Sequence, residues 1–206
     1  MASSTIVVGL GNPGKTYRAT RHNIGFWVLD RLALRLEATF RAEGELRRYA
    51  WVARTRLAGE NVVLAKPRTY MNRSGRAVAA LCRAFDVEAG ELLVVFDDAD
   101  LELGRLRVRR GGGAGGHNGV RSMIEVLGED AFTRIRLGIR GDDRDEGELA
   151  DYVLSEFTDD ELPLADPLAE LGADAVEYLL ANGLSATMNR YNGTKVGADS
   201  DSTREQ

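Results

Sequence analysis

The chain has 206 residues, 44% of them hydrophobic and 29% charged, with a formal net charge of −5. That is the balance of a globular domain long enough to bury its own core. A single cysteine (Cys82) and two histidines (His22 and His117) exclude a disulfide framework and argue against a structural zinc site, and no apolar run has the length of a membrane span.

The elements follow in chain order. Thr5 to Gly9 is a short β-branched run that reads as a buried strand, and Asn12-Pro13-Gly14 forces a turn. From His22 the spacing of Gly25, Val28, Leu29, Leu32 and Leu36 predicts an amphipathic helix. Segments 38–43, 47–57 and 61–66 are expected as strands, with a hairpin turn at Ala58 to Asn61. Ser74 to Phe85 is expected as a helix with Val78, Leu81, Cys82 and Phe85 inward. Leu92 to Phe96 is an apolar strand that ends at Asp97 and Asp98. Arg105 to Arg109 alternates as a half-exposed strand does. A glycine run over 111–116 then leads into a helix over 117–128. Ile135 to Ile139 is a strand, 158–182 a long helix with a solvated acidic face, and 184–190 a short helix. Strands alternating with helices predict an α/β domain, its mixed or mostly parallel sheet covered on both sides. It spans 1–192, ahead of a polar, disordered tail over 193–206. No basic stretch leads into an apolar segment at Met1, so the reading is a cytoplasmic protein.

The charge is unevenly spread. Between Arg105 and Arg140 eight arginines face three acids, a window of +5 on an acidic protein, and six acids crowd Asp142 to Asp151. A local basic face suits docking of a polyanion, although solvated arginines used in place of lysine would look the same. Gly9-Leu-Gly-Asn-Pro-Gly after a strand has the spacing of a dinucleotide-binding fingerprint. Pro13 and the delay before His22 separate it from any helix, and no strand ending in an acid follows. Trp27 and Trp51 are expected to pack inside rather than to stack on a base.

Both histidines stand in His-Asn pairs at helix starts, where each has a plainer role as a cap. Asp97 and Asn12 follow strands, and in open α/β sheets the carboxyl ends of strands are where ligands bind. Asn72 lies between a strand and a helix. A histidine oriented by a carboxylate and ringed by amides suits water-activating hydrolysis: the imidazole takes a proton near neutral pH and amides stabilise the oxyanion. No Gly-x-Ser-x-Gly elbow occurs, and Cys82 reads as inward, so no covalent nucleophile is indicated.

Gly9-Leu-Gly-Asn-Pro-Gly, His22-Asn-Ile-Gly-Phe, Lys66-Pro-Arg-Thr-Tyr-Met-Asn, Asp97-Asp-Ala-Asp-Leu and Gly111-Gly-Gly-Ala-Gly-Gly-His-Asn-Gly together resemble the bacterial-type peptidyl-tRNA hydrolases. Arg134-Ile-Arg-Leu-Gly-Ile and Tyr152-Val-Leu-Ser-Glu-Phe extend the resemblance. It implies a single α/β domain with a twisted mixed sheet, no metal or cofactor, and a monomer that hydrolyses the ester joining a peptide to the tRNA 3′ ribose. His22 would be the catalytic histidine and Asp97 its carboxylate. Asn12, Asn72 and Asn118 would be the substrate-binding asparagines, with Asn12 also in the catalytic set. Tyr17, Tyr70 and Met71 would contact the peptide or terminal nucleotide, and Arg109 and Arg136 would clamp the tRNA 5′ phosphate. Two positions depart from the family: Phe96, expected to pack against the sheet, and Arg140-Gly-Asp-Asp, where the family usually continues Gly-Arg-Pro. Two other functions compete. One is an RNA-binding module on the same scaffold, against which the intact Asn12, His22 and Asp97 argue. The other is a dinucleotide oxidoreductase.

Overall fold

The computed structural model describes residues 4–141 and 148–197. Its strands are β1 (Ser4–Gly9), β2 (Ala50–Leu57), β3 (Glu60–Pro67), β4 (Leu93–Glu102), β5 (Leu106–Arg110) and β6 (Thr133–Arg140). Its helices are α1 (Ile24–Arg35), α2 (Ser74–Phe85), α3 (Asn118–Leu127), α4 (Leu149–Leu154) and α5 (Leu162–Tyr191). The strands form one sheet in the order β2-β3-β1-β4-β6-β5. The four central strands are parallel, and β2 and β5 close the edges in antiparallel pairings. The expected mixed, mostly parallel sheet is therefore present.

Alternation along the strands splits the core in two. Val7, Val95, Ile135 and Leu137 pack with Val28, Leu29 and Leu32 of α1 and Leu168 and Val176 of α5. Ile6, Val8, Val94 and Phe96 pack on the other face with Val78 and Leu81 of α2 and Val120 and Met123 of α3. Phe96 thus packs on the sheet as expected. On the first face α1 comes very close. A Cβ at Gly9 would lie 2.4 Å from the Gly25 carbonyl oxygen, and one at Gly25 would lie 2.5 Å from that of Val95. The glycine fingerprint after β1 serves this helix packing.

The chain leaves β1 to build β2 and β3 on one side, then returns on the other side as β4. That reversal opens a crevice beyond the end of β1, the position where α/β sheets take ligands. Pairing of β1 with β4 stops at Gly9 and Val95, so Asp97 lies just past it.

Several expectations need correction. Residues 38–43 contribute one bridge, Arg41 to Val52, rather than a strand, and 44–48 is a 3-10 turn. Ala38 and Phe40 there pack against the first core instead. Asp97 does not end its strand, because β4 runs on to Glu102 through a register shift beyond Asp98. α1 starts at Ile24, and His22 sits in a 3-10 turn over Arg21–Asn23 just before it. The acidic face of α5 is not merely solvated: Asp166, Glu170, Asp174 and Glu177 pair with Arg31 and Arg35 of α1. Cys82 is half-buried. The break expected at residue 183 is present, with Gly183 at φ 79° inside α5.

Residues 193–197, assigned above to a disordered tail, are held: the Val196 N–H donates to the Gly104 carbonyl at 2.8 Å, and Lys195 pairs with Glu102. The rest of that tail, and the Asp142-Asp143 part of the loop departure, lie outside the described residues. At the outer edge, the Asn192 carboxamide accepts from the Val108 N–H at 2.6 Å and donates to the Val108 carbonyl at 3.1 Å.

Candidate active site

One carboxylate organises the crevice. Asp97 is 2% exposed, and His22 Nδ1 lies 2.8 and 2.9 Å from its two oxygens. His117 Nε2 lies 3.0 Å from Oδ1 of the same group. The two imidazoles are tilted against each other with centroids 4.8 Å apart, and Phe96 packs edge-on to His117. Ninety-five residues of sequence separate these histidines, yet the fold makes them neighbours.

The local chain fixes which nitrogen carries each proton. His117 is the N-cap of α3, and its Nδ1 accepts from the Gly119 and Val120 N–H groups at 3.1 and 3.2 Å. An Nδ1 that accepts two hydrogen bonds has no proton, so in neutral His117 the proton is on Nε2 and points at Asp97. His22 faces Asp97 through Nδ1. With the proton there, its Nε2 keeps a free lone pair. Burial is the largest influence on His117 and pushes its imidazole below the ordinary value, against the pull of Asp97. Burial alone would raise the Asp97 carboxyl, but the two facing imidazoles outweigh it and hold the group well below the usual carboxylate range.

Both shifts have one sign for stability. Groups with depressed native values contribute stability above their unfolded values, and it is lost as pH falls. For His117 the loss begins below about 6.5 and for Asp97 below about 3.9. Melting temperature should therefore fall on acidification from near neutrality. His117→Asn keeps a capping side chain but cannot titrate, so it should flatten the first part of that fall. Parallel acid profiles for parent and variant would contradict the argument.

His22, Asp97 and His117 each place a ligand atom within 4.8 Å of the others, a spacing that suits a metal ion. The donor set does not. A metal on His117 Nε2 would move the proton to Nδ1, directly against two backbone N–H donors.

The remaining residues divide into groups. His22, Asp97, His117, Asn118, Arg109 and Arg136 line one pocket of about 280 Å³, walled by residues 113–116 and by Leu149 and Val153 of α4. Arg136 is ion-paired with Asp98. Asn12 is 6% exposed and opens instead onto a broader groove of about 980 Å³ that also holds Trp27, Trp51 and Lys66. Both tryptophans are partly buried there: Trp27 packs against the core and the Phe157 ring, as expected, with Arg31 over it, and Arg68 lies over Trp51. Asn12 is held on three sides. Its N–H donates to Asn23 Oδ1 at 2.8 Å, Asn23 Nδ2 donates to its carbonyl at 3.0 Å, and its Oδ1 accepts from the Met71 N–H at 2.8 Å. That leaves its Nδ2 as the donor for a ligand. The Met71 side chain is 4% exposed in the core, so Met71 reaches the site through its backbone. Asn72 is exposed, and Tyr17 and Tyr70 meet edge-on at 6.3 Å, but none of the three lines either cavity.

Two contributions were missed in the sequence: the second histidine on Asp97, and Asn23 as the brace of Asn12. Each is a member of a His-Asn pair, and the repetition of that pair was the available signal.

A model of the peptidyl-tRNA hydrolase family matches residues 6–199. The chain belongs to this family. The peptidyl-tRNA hydrolase of Chloroflexus aurantiacus is 50% identical over 189 residues, covering 91% of this chain and 98% of that protein. That of Mycobacterium tuberculosis is 47% identical over 190 residues, covering 92% and 98%. Among solved structures, the peptidyl-tRNA hydrolase of Acinetobacter baumannii superposes with a TM-score of 0.83 at 32% identity, covering 95% of this chain and 97% of that one. Like these hydrolases, the chain is a single α/β domain. No helix among its described residues is long and apolar enough to cross a membrane.

Proposed function

We propose that the protein hydrolyses the ester between a peptide and the 3′ ribose of tRNA, acting as a cytoplasmic monomer without a metal. The observation that carries the mechanism is the hydrogen bonding of His22 Nδ1 to Asp97, which leaves Nε2 as the base in a pocket that also presents Arg109 and Arg136. His22 Nε2 removes a proton from water as the water attacks the ester carbonyl, and Asp97 stabilises the imidazolium that forms. Nδ2 of Asn118, which lines the same pocket, donates to the developing oxyanion or holds the water, and Nδ2 of Asn12 meets the substrate from the neighbouring groove. Collapse of the tetrahedral intermediate expels the ribose 3′-oxygen, which takes the proton back from Nε2. Asp97 is charged throughout, and His117 donates to it without leaving its cap.

Arg109 and Arg136 offer guanidinium groups for a phosphate, which positions tRNA without touching the ester. Tyr17, Tyr70 and Asn72 would meet the substrate outside the pocket. Changing both arginines to alanine is expected to raise KM for intact peptidyl-tRNA and to change kcat much less. Hydrolysis of a peptide esterified to a short CCA fragment, which has no acceptor stem, should be slow and equal in parent and variant. Impairment of both substrates alike would assign these arginines a structural or catalytic role.

The decisive experiment is hydrolysis of an N-acetylated aminoacyl-tRNA by the purified protein, with and without a chelator. Equal rates are expected, because the hydrogen bonds of His117 oppose metal ligation. Activity that disappears with chelation and returns with added metal would overturn the metal-free mechanism.

A further inference from the structure

Arg134 is 1% exposed, an unusual place for an arginine without a carboxylate on its guanidinium. It stands on β6 between Val94 of β4 and Arg109 of β5, on the sheet face that Phe132 continues toward the core. Its guanidinium lies 4.5 Å from the centre of the Phe132 ring. One end nitrogen donates to the Gly113 carbonyl at 2.7 Å, and the other donates to the Gly112 carbonyl and, at 3.2 Å, to that of Asp130. Burial, with Arg109 and Arg136 nearby, pushes its pKa down to about 10, which leaves it cationic at neutral pH.

The carbonyls it holds belong to the glycine run, where Gly111 and Gly112 have φ of 68° and 105°. A Cβ at Gly112 would lie 2.6 Å from an Arg109 guanidinium nitrogen. Gly112 is thus gripped by Arg134 and packed against Arg109. From there the chain runs through Gly113, Ala114, Gly115 and Gly116, which wall the pocket, to His117 and Asn118. A glycine run without an anchor would sample many conformations. Here the first residues of the run are fastened from below by Arg134.

We infer that Arg134 is a positioning residue, which fixes the glycine loop through the Gly112 and Gly113 carbonyls and thereby places Arg109 and the pocket wall for substrate. The inference rests on the proposed hydrolysis of peptidyl-tRNA. His117 is held independently by its two cap bonds and Asp97, so the chemical step should be spared and the loss should fall on binding.

The test compares parent, Arg134→Met and Arg134→Lys on N-acetylated aminoacyl-tRNA, together with amide hydrogen exchange. Methionine fills similar space without donors and should raise KM roughly tenfold with kcat within about threefold. Amides of 112–116 should exchange roughly tenfold faster while those of 135–139 keep the parent rate. Lysine keeps the charge but offers one nitrogen where the fork offers two, so it should recover only part of the KM. Three results would overturn the inference: loop exchange unchanged in the methionine variant, KM unchanged despite a loosened loop, or full recovery with lysine. Should the methionine variant not fold, the lysine variant decides alone, and a KM equal to the parent's overturns the inference. Parent protein that fails to hydrolyse the substrate would refute the proposed function instead, while the exchange measurement would still test the anchor.

Discussion

Replacing His22 with alanine is expected to lower kcat by about 10²–10⁴-fold while KM for peptidyl-tRNA stays within a few-fold of the parent. In the proposed mechanism the imidazole acts on the proton that moves in the transition state, whereas the arginines meet the substrate in the ground state. Removing the ring leaves Asp97 buried with His117 as its remaining imidazole, so some stability is lost as well. A melting curve and equilibrium binding of tRNA must therefore accompany the kinetics. Activity within tenfold of the parent in a folded variant would remove His22 from the role of general base.

Asp97→Asn should be nearly as damaging, by about 10²–10³-fold, for a different reason. A carboxylate accepts from both histidines at once, His22 Nδ1 and His117 Nε2. Both histidines reach Oδ1, but His22 Nδ1 also lies 2.9 Å from Oδ2, so a carboxamide whose oxygen serves both sets its NH₂ group against His22. His117 cannot adapt, because its cap bonds hold Nδ1 unprotonated. His22 can, by moving its proton to Nε2, and in that tautomer it is no longer a base. The double variant His22→Ala with Asp97→Asn should then be little worse than His22→Ala alone. A multiplicative loss would mean that Asp97 acts independently of His22.

The parts of the fold that were legible in the sequence are those set by local periodicity. The stripe in Ser74–Phe85 gave a helix with those bounds, and the β-branched run before Gly9 gave the strand that starts the sheet. Residues 38–43 misled because a strand needs successive pairings, and of this segment only Arg41 pairs with β2, at Val52. The position of Asp97 near the end of β1 was legible, but not its place inside β4, since pairing with β6 continues past the point where β1 stops. The shared carboxylate was illegible for a different reason. Which groups converge on Asp97 depends on two loops, those carrying His22 and His117, meeting at one strand, and no spacing in the chain encodes that. The basic window gave the charge of Arg134 but not its burial, because charge along a chain does not tell a solvated arginine from one folded under a loop.

The pairing of Asn192 with Val108 bears on how copies of the chain behave toward one another. β5 is an outer strand, and an outer strand with free backbone groups invites a second chain to extend the sheet. A side-chain amide that accepts from the N–H and donates to the carbonyl of Val108 imitates one rung of that missing strand, and the bridge between Lys195 and Arg105 occupies the same edge further along. The last turn of α5 thus acts as a stopper. A chain shortened to end before residue 192 would expose the rung and favour edge-to-edge self-association without any change in the pocket.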